Sequence, residues 1–180
     1  MVSDIKIENV VASATLNTRI PLDKVVARIP GTEYEPEQFP GLVYRITEPK
    51  AASLIFSSGK IVCTGARSPE LARKAVKKII ESIKKARIKI KGKPKIRIEN
   101  IVASAKIDAV LKLNEIAFLL PNAEYEPEQF PGLVYRIKDP KVAFLLFGSG
   151  KIVCTGGRSV NDVKKAIKKL EDELKELGAI

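Results

Sequence analysis

The chain is written twice. Residues 5–83 align with residues 96–174 at a constant offset of 91 positions, with no gap, and 43 of the 79 aligned pairs are identical. The block EYEPEQFPGLVYRI begins at Glu33 and returns unchanged at Glu124, and GKIVCTG begins at Gly59 and returns at Gly150. A repeat this long in only two copies does not make a solenoid, whose units are shorter and more numerous. It predicts a pseudo-two-fold pair, residues 1–90 and 91–180, that together build one continuous body. Residues 86–95, with Gly92 and Pro94 among lysines, read as the linker.

Each copy reads as strand, short helix, three strands and long helix. Residues 5–14 have β-branched and apolar side chains at strand spacing. Residues 22–29 form a short helix closed by Pro30. Residues 42–47, 51–57 and 60–65 read as strands, joined by turns at Glu48-Pro49-Lys50 and Ser58-Gly59. In the long helix that follows, Ser68 is the N-cap and Pro69 the first residue, where a missing N–H costs nothing. Leu71, Ala75, Val76, Ile79, Ile80 and Ile83 are its expected apolar stripe. Ser159 and Asp162 resemble a capping box in the second copy, and Gly178 ends the final helix.

The strands leave a surface to be explained. Residues 143–147, Ala-Phe-Leu-Leu-Phe, are apolar at both alternating positions, so such a strand needs cover on both faces. The helices cover one, and an apolar sheet face left open is a binding surface. Alternation places Asn9, Val11, Leu54, Phe56, Val62 and Thr64 on that face, with Asn100, Val102, Leu145, Phe147, Val153 and Thr155 as their mates. Arg45, Lys60 and Arg67, and likewise Arg136, Lys151 and Arg158, fall at its margins. Cys63 and Cys154 take the opposite face and read as reduced core thiols. A neutral floor with a cationic rim suits the minor groove of DNA.

Charge agrees with a polyanionic partner: 32 Lys and Arg stand against 21 Asp and Glu, a formal net charge of +11. The same numbers exclude much else. With no histidine and two cysteines there is neither the commonest general base nor a zinc or disulfide framework, so no metal, cofactor or enzymatic activity is expected. Ser58-Gly59-Lys60 lacks the hydroxyl residue that a phosphate loop places after its lysine; Ile61 stands there. No apolar run is long enough for a membrane span, and the strand pattern begins almost at Met1, so no signal peptide is expected. On residue type alone, a phenylalanine is more often core than contact, and Asn9 and Asn100 serve equally as strand-edge residues. The lysine pairs at 77–78, 84–85 and 168–169 fall on helix faces and read as solvated surface.

These blocks resemble the TATA-box-binding protein family, archaeal type, over residues 5–177. The resemblance implies an α+β saddle: a curved antiparallel β-sheet with four helices on its convex face. It implies a general transcription initiation factor that binds the TATA box in the minor groove of A·T-rich DNA and recruits transcription factor B and, indirectly, RNA polymerase. The expected location is the cytoplasm, at the archaeal nucleoid, as a monomer on DNA that self-associates weakly without it. Carried over by position, Phe39 with Phe56 and Phe130 with Phe147 are DNA-intercalating wedges. Asn9, Val11, Leu54, Val62, Thr64, Asn100, Val102, Leu145, Val153 and Thr155 line the groove floor. Arg45, Ser58, Lys60, Arg67, Arg136, Ser149, Lys151 and Arg158 hold phosphates, and Glu126, Glu128 and Gln129 form the acidic contact for transcription factor B. Glu37 and Gln38 depart from the family, whose eukaryotic members often carry basic residues there. A saddle-fold accessory module in DNA repair or RNA processing is the alternative reading.

Overall fold

The computed structural model describes residues 1–180. The chain divides into two compact units: residues 9–99, here the first unit, and residues 1–8 with 100–180, the second. The class is α+β, with antiparallel strands and four helices.

In the first unit the elements are β1 (Lys6–Thr15, from Asn9 onward), α1 (Leu22–Arg28), β2 (Thr32–Glu33), β3 (Leu42–Thr47), β4 (Lys50–Ile55), β5 (Lys60–Ala66) and α2 (Pro69–Lys85). Its sheet runs β2-β3-β4-β5-β1. In the second unit β6 (Lys95–Lys106, from Asn100 onward) is followed by α3 (Leu113–Leu119), β7 (Leu133–Lys138), β8 (Lys141–Leu146), β9 (Lys151–Gly157) and α4 (Val160–Glu176), with sheet order β6-β9-β8-β7. Two-residue turns close the β3–β4 and β7–β8 hairpins, Thr47 pairing Lys50 and Lys138 pairing Lys141.

Local chemistry explains the helix ends. Ser68 Oγ accepts from the Leu71 N–H at 3.1 Å with Pro69 behind it, and Ser159 Oγ accepts from the Asp162 N–H at 3.1 Å. At the far end of α4, Gly178 takes φ +74°, and the Ala179 N–H reaches back to the Leu174 carbonyl at 2.9 Å. That is the left-handed turn by which glycine closes a helix.

Alternation along the strands decides what each sheet buries. Val10, Ala12, Ile55, Ile61 and Cys63 are buried against the helix layer, while Val11, Leu54 and Val62 stay partly open. The second unit repeats this with Val142, Phe144 and Leu146 inward and Ala143 and Leu145 partly open. On α2 the buried stripe is Ala72, Ala75, Val76, Ile79, Ile80 and Ile83. Leu71 lies outside it, 41 % exposed, because one residue back from Ala72 is about 100° around the helix. Burial pushes the Cys63 thiol up to about 11 and the Cys154 thiol up to about 12, so both stay protonated and unreactive.

Candidate nucleic-acid interface

Cross-strand register assembles the open face row by row, since paired residues point to the same side. In the first unit Val43, Leu54, Val62 and Ser13 form one row across β3, β4, β5 and β1. Arg45, Ala52 and Thr64 form the next. The second unit has Val134, Leu145, Val153 and Ser104, then Arg136, Ala143 and Thr155. The rows place Leu54, Val62, Thr64, Leu145, Val153 and Thr155 on these faces. They add Val43, Val134, Ser13 and Ser104, which were not among the expected floor residues. Alternation from Arg45 and Arg136 already pointed to Val43 and Val134, and alternation from Val11 and Val102 to Ser13 and Ser104.

Asn9 and Asn100 are held in one orientation. The backbone pairing slips between Val10 and Ala12, leaving an extra residue on β5 around Thr64 and Gly65. Gly65 takes φ +108°, which turns its N–H onto Asn9 Oδ1 at 2.7 Å. Asn9 Nδ2 donates to Thr64 Oγ1 at 2.9 Å. The second unit copies this: Gly156 N–H to Asn100 Oδ1 at 2.6 Å, Asn100 Nδ2 to Thr155 Oγ1 at 3.1 Å. With the amide oxygen occupied by a backbone donor, the free capacity of each side chain is an N–H. The floor of an A·T minor groove offers acceptors only, adenine N3 and thymine O2.

The four phenylalanines meet in two pairs. Phe39 and Phe56 stand edge to face with centroids 6.0 Å apart, and Phe130 and Phe147 at 5.9 Å. Each pair closes over a glycine. A Cβ on Gly41 would lie 2.6 Å from the Phe39 ring and 3.0 Å from Phe56; on Gly132 it would lie 2.7 Å from Phe130 and 3.1 Å from Phe147. Phe39 and Phe130 remain 42 % exposed, which core residues of this size do not. Their loops turn through Phe39 N–H to Glu35 O and Phe130 N–H to Glu126 O, both 3.0 Å, leaving Glu37, Gln38, Glu128 and Gln129 in solvent.

The charged residues stand around these faces. Ser58, Lys60 and Arg67, and Ser149, Lys151 and Arg158, are exposed beside the β4–β5 and β8–β9 turns and past the ends of β5 and β9. Arg45 and Arg136 lie 3.8 and 3.6 Å from Glu33 and Glu124, loose surface pairs that hold little against competition. Two carboxylates hydrogen-bond to serines of these faces, unanticipated from the pattern, because alternation from Asn9 and Asn100 sends Glu8 and Glu99 to the other side. Ser13 Oγ donates to Glu99 within the first unit and Ser104 Oγ to Glu8 within the second, each at 2.7 Å. Their signal in the sequence was the doubled Glu-Asn at Glu8-Asn9 and Glu99-Asn100. No group of three or more His, Cys, Asp or Glu gathers as a metal ion requires.

A family model described as "Transcription factor TFIID (or TATA-binding protein, TBP)" matches residues 4–86 and again residues 95–177. The TATA-box-binding protein of Archaeoglobus fulgidus is 53 % identical over 176 residues, spanning 97 % of this chain and 96 % of that protein. That of Methanothermobacter thermautotrophicus is 52 % identical over 177 residues, 98 % of each chain. Among solved structures, Methanococcus jannaschii TBP superposes with a TM-score of 0.88 at 52 % identity, covering 97 % of this chain and 99 % of that one.

Proposed function

Because the chain belongs to the TATA-box-binding protein family, archaeal type, we propose that the open faces of its two units grip the minor groove of A·T-rich promoter DNA, with one phenylalanine pair of each wedged into a base step. It is a general transcription initiation factor that binds TATA-box DNA, and it is not an enzyme. The observation that carries the residue assignment is the oriented amide. Asn9 and Asn100 present donors beside an apolar floor, and the guanine 2-amino group would meet them donor to donor while A·T pairs offer acceptors.

The mechanism divides the work by chemistry. Val11, Leu54 and Val62, with Val102, Leu145 and Val153, exclude water from the groove floor and supply non-directional burial. Thr64 and Thr155 hold the asparagines and offer hydroxyls. Phe39, Phe56, Phe130 and Phe147 unstack base steps, a cost that burial in the widened groove offsets. Arg45, Ser58, Lys60, Arg67, Arg136, Ser149, Lys151 and Arg158 take phosphates and set position without reading sequence. Glu126, Glu128 and Gln129 receive transcription factor B, and through it RNA polymerase.

The test is affinity and bending on an A·T-rich octamer against a scrambled one, for the natural protein and for Phe56→Ala with Phe147→Ala. Selective binding with a bend that the double variant loses is the expected result. Equal affinity for both duplexes, with no bend, would sink the proposal. Salt gives a second check. Six marginal cations limit the slope of log affinity against log salt to about −5. A slope near −10 would put the helix lysines on phosphates instead.

A further inference from the structure

We propose that the exposed side of α3 decides which unit transcription factor B occupies. The acidic loops cannot make that choice, because Glu33–Gln38 and Glu124–Gln129 carry the same six residues in the two copies. This inference rests on the reading of Glu126 and Glu128 as the partner's contact. It concerns the neighbouring helix.

Among the paired elements of the two units, the short helices differ most. Where the first unit exposes Arg19, Lys24, Ala27 and Arg28, the second exposes Val110, Glu115, Phe118 and Leu119 at the same aligned positions. Three cations are gone and one, Lys112, is gained. In their place stand three apolar side chains: Val110 is 80 % exposed, Phe118 92 % and Leu119 45 %. Glu115, Phe118 and Leu119 are three and four residues apart and share one flank of the helix. In the first unit the matching flank is engaged by its own chain, since Arg28 donates to the Ala86 carbonyl at 2.9 Å.

Two observations name the occupant. The first is continuity with the loop: Leu111, Lys112, Leu113, Asn114 and Glu115 line one shallow recess together with Tyr125, which sits between Glu124 and Glu126. Helix and loop therefore offer a single surface. The second is charge. Glu115 on the helix and Glu126 and Glu128 on the loop, against the single cation Lys112, accompany exposed apolar groups on a protein that is otherwise strongly basic. That combination repels nucleic acid and anionic lipid and matches a protein surface with cations set around an apolar pocket. Phe118 is the anchor: an aromatic ring left in water here supplies affinity only when a partner covers it.

The test gives the second unit the residues that the first already tolerates, Val110→Arg, Phe118→Ala and Leu119→Arg. All three positions are exposed, and a melting curve checks that the fold is kept. The affinity of transcription factor B for the protein–DNA complex is then measured by mobility shift on a palindromic A·T-rich site. The unit that the factor occupies is read by cross-linking to it from a photoreactive side chain placed beside one acidic loop or the other, at the exposed Pro30 or Pro121. The expected result is at least a tenfold loss of factor binding and loss of the preference for the second unit, with DNA affinity unchanged. The converse graft, Arg19→Val, Ala27→Phe and Arg28→Leu, should bring the factor to both ends. If factor binding and the preference for the second unit survive the α3 changes while Glu126→Lys with Glu128→Lys abolishes binding, this inference fails and the loop reading stands. If the loop variant also leaves binding intact, the loop reading fails as well.

Discussion

Across the open faces, the two units carry the same side chain at each aligned position: Asn9 and Asn100, Ser13 and Ser104, Val43 and Val134, Leu54 and Leu145, Thr64 and Thr155. Beneath them, against the helices, the pairs diverge. Ser53 becomes Phe144, Ile80 becomes Glu171, Ser82 becomes Glu173, and Ala66 with Ala72 becomes Gly157 with Val163. The buried side obeys only volume and hydrogen bonding, which many combinations meet. The open side has to match something outside the protein, and one duplex presents nearly the same groove to both units.

The exchanges in the core are compensated locally. In the first unit Ser53 Oγ donates to the Tyr44 carbonyl at 2.9 Å, and the Tyr44 hydroxyl meets Ser82 at 3.3 Å. In the second, Phe144 is fully buried and stacks on Tyr135 at 6.5 Å, whose hydroxyl donates to the Glu173 carboxylate at 2.9 Å. Burial and that carboxylate push the Tyr135 phenol up to about 12. The largest contrast to test follows from this row. Phe144→Ala should cost about 3–5 kcal/mol, whereas Ser53→Ala should cost about 1 kcal/mol. Hydrogen exchange resolved by unit would check it; equal losses would mean that the row does not bear the packing assigned to it.

The small-for-large exchange gives the next effect. A Cβ on Gly157 would lie 2.7 Å from Val163 Cγ2. Gly157→Ala should destabilise by about 1–3 kcal/mol, and Val163→Ala should recover most of it, recreating the first unit's pair. A double-mutant cycle in denaturant that shows no coupling would break the comparison.

On the open side the units should respond alike. Asn9→Ala and Asn100→Ala should each weaken binding to a palindromic A·T site by about 1–3 kcal/mol, measured by anisotropy titration. Unequal losses would mean that the groove is not read symmetrically. A smaller effect of opposite sign is expected of the carboxylates. Glu99→Gln and Glu8→Gln keep an acceptor for the serine hydroxyl and remove a negative charge held next to a face that meets a polyanion. Affinity should rise severalfold at low salt and less at high salt.

The smallest contrast concerns acid. Glu171 is buried where the first unit has Ile80. Burial works to raise its pKa, but the Val2 N–H at 2.7 Å, Lys175 and Lys168 outweigh that and hold it below the usual glutamate range. A lowered folded value stabilises above the unfolded pKa, and the contribution is lost as pH falls through the folded one. The second unit should therefore lose protection in that acid window and the first should not, as exchange rates over a pH series would report. Glu171→Gln should remove the difference.

Much of this was open to inspection in the sequence, for a physical reason. Strand alternation is strict, so Asn9, Val11, Val62 and Thr64 could be put on one face before any coordinates, and a 91-residue offset carried them to the second copy. What could not be read was whatever depends on register or on side-chain reach. Alternation from Val11 and Val102 already puts Ser13 and Ser104 on the face, but only the register shows that they stand beside Val62 and Val153. Glu8 and Glu99 reach it through a serine from elsewhere in the chain. Leu71 was misplaced because an apolar residue beside a helical stripe looks like part of it. The shape of each asparagine's hydrogen bonding came from a bulge, which leaves no periodic trace.

The notch beneath each phenylalanine pair has a consequence of its own. What a methyl group on Gly41 or Gly132 would strike first is the rim of a half-exposed ring, which can swing aside, so an alanine there should fold nearly as well as the natural chain. Its damage would be to aim. The ring would come to rest turned away from its partner, and the protein would pass every test of folding yet arrive at a duplex with its levers misaligned. Two positions that contribute almost nothing to staying folded are therefore among the least replaceable, and a screen that scores stability alone would pass their alanine variants unnoticed.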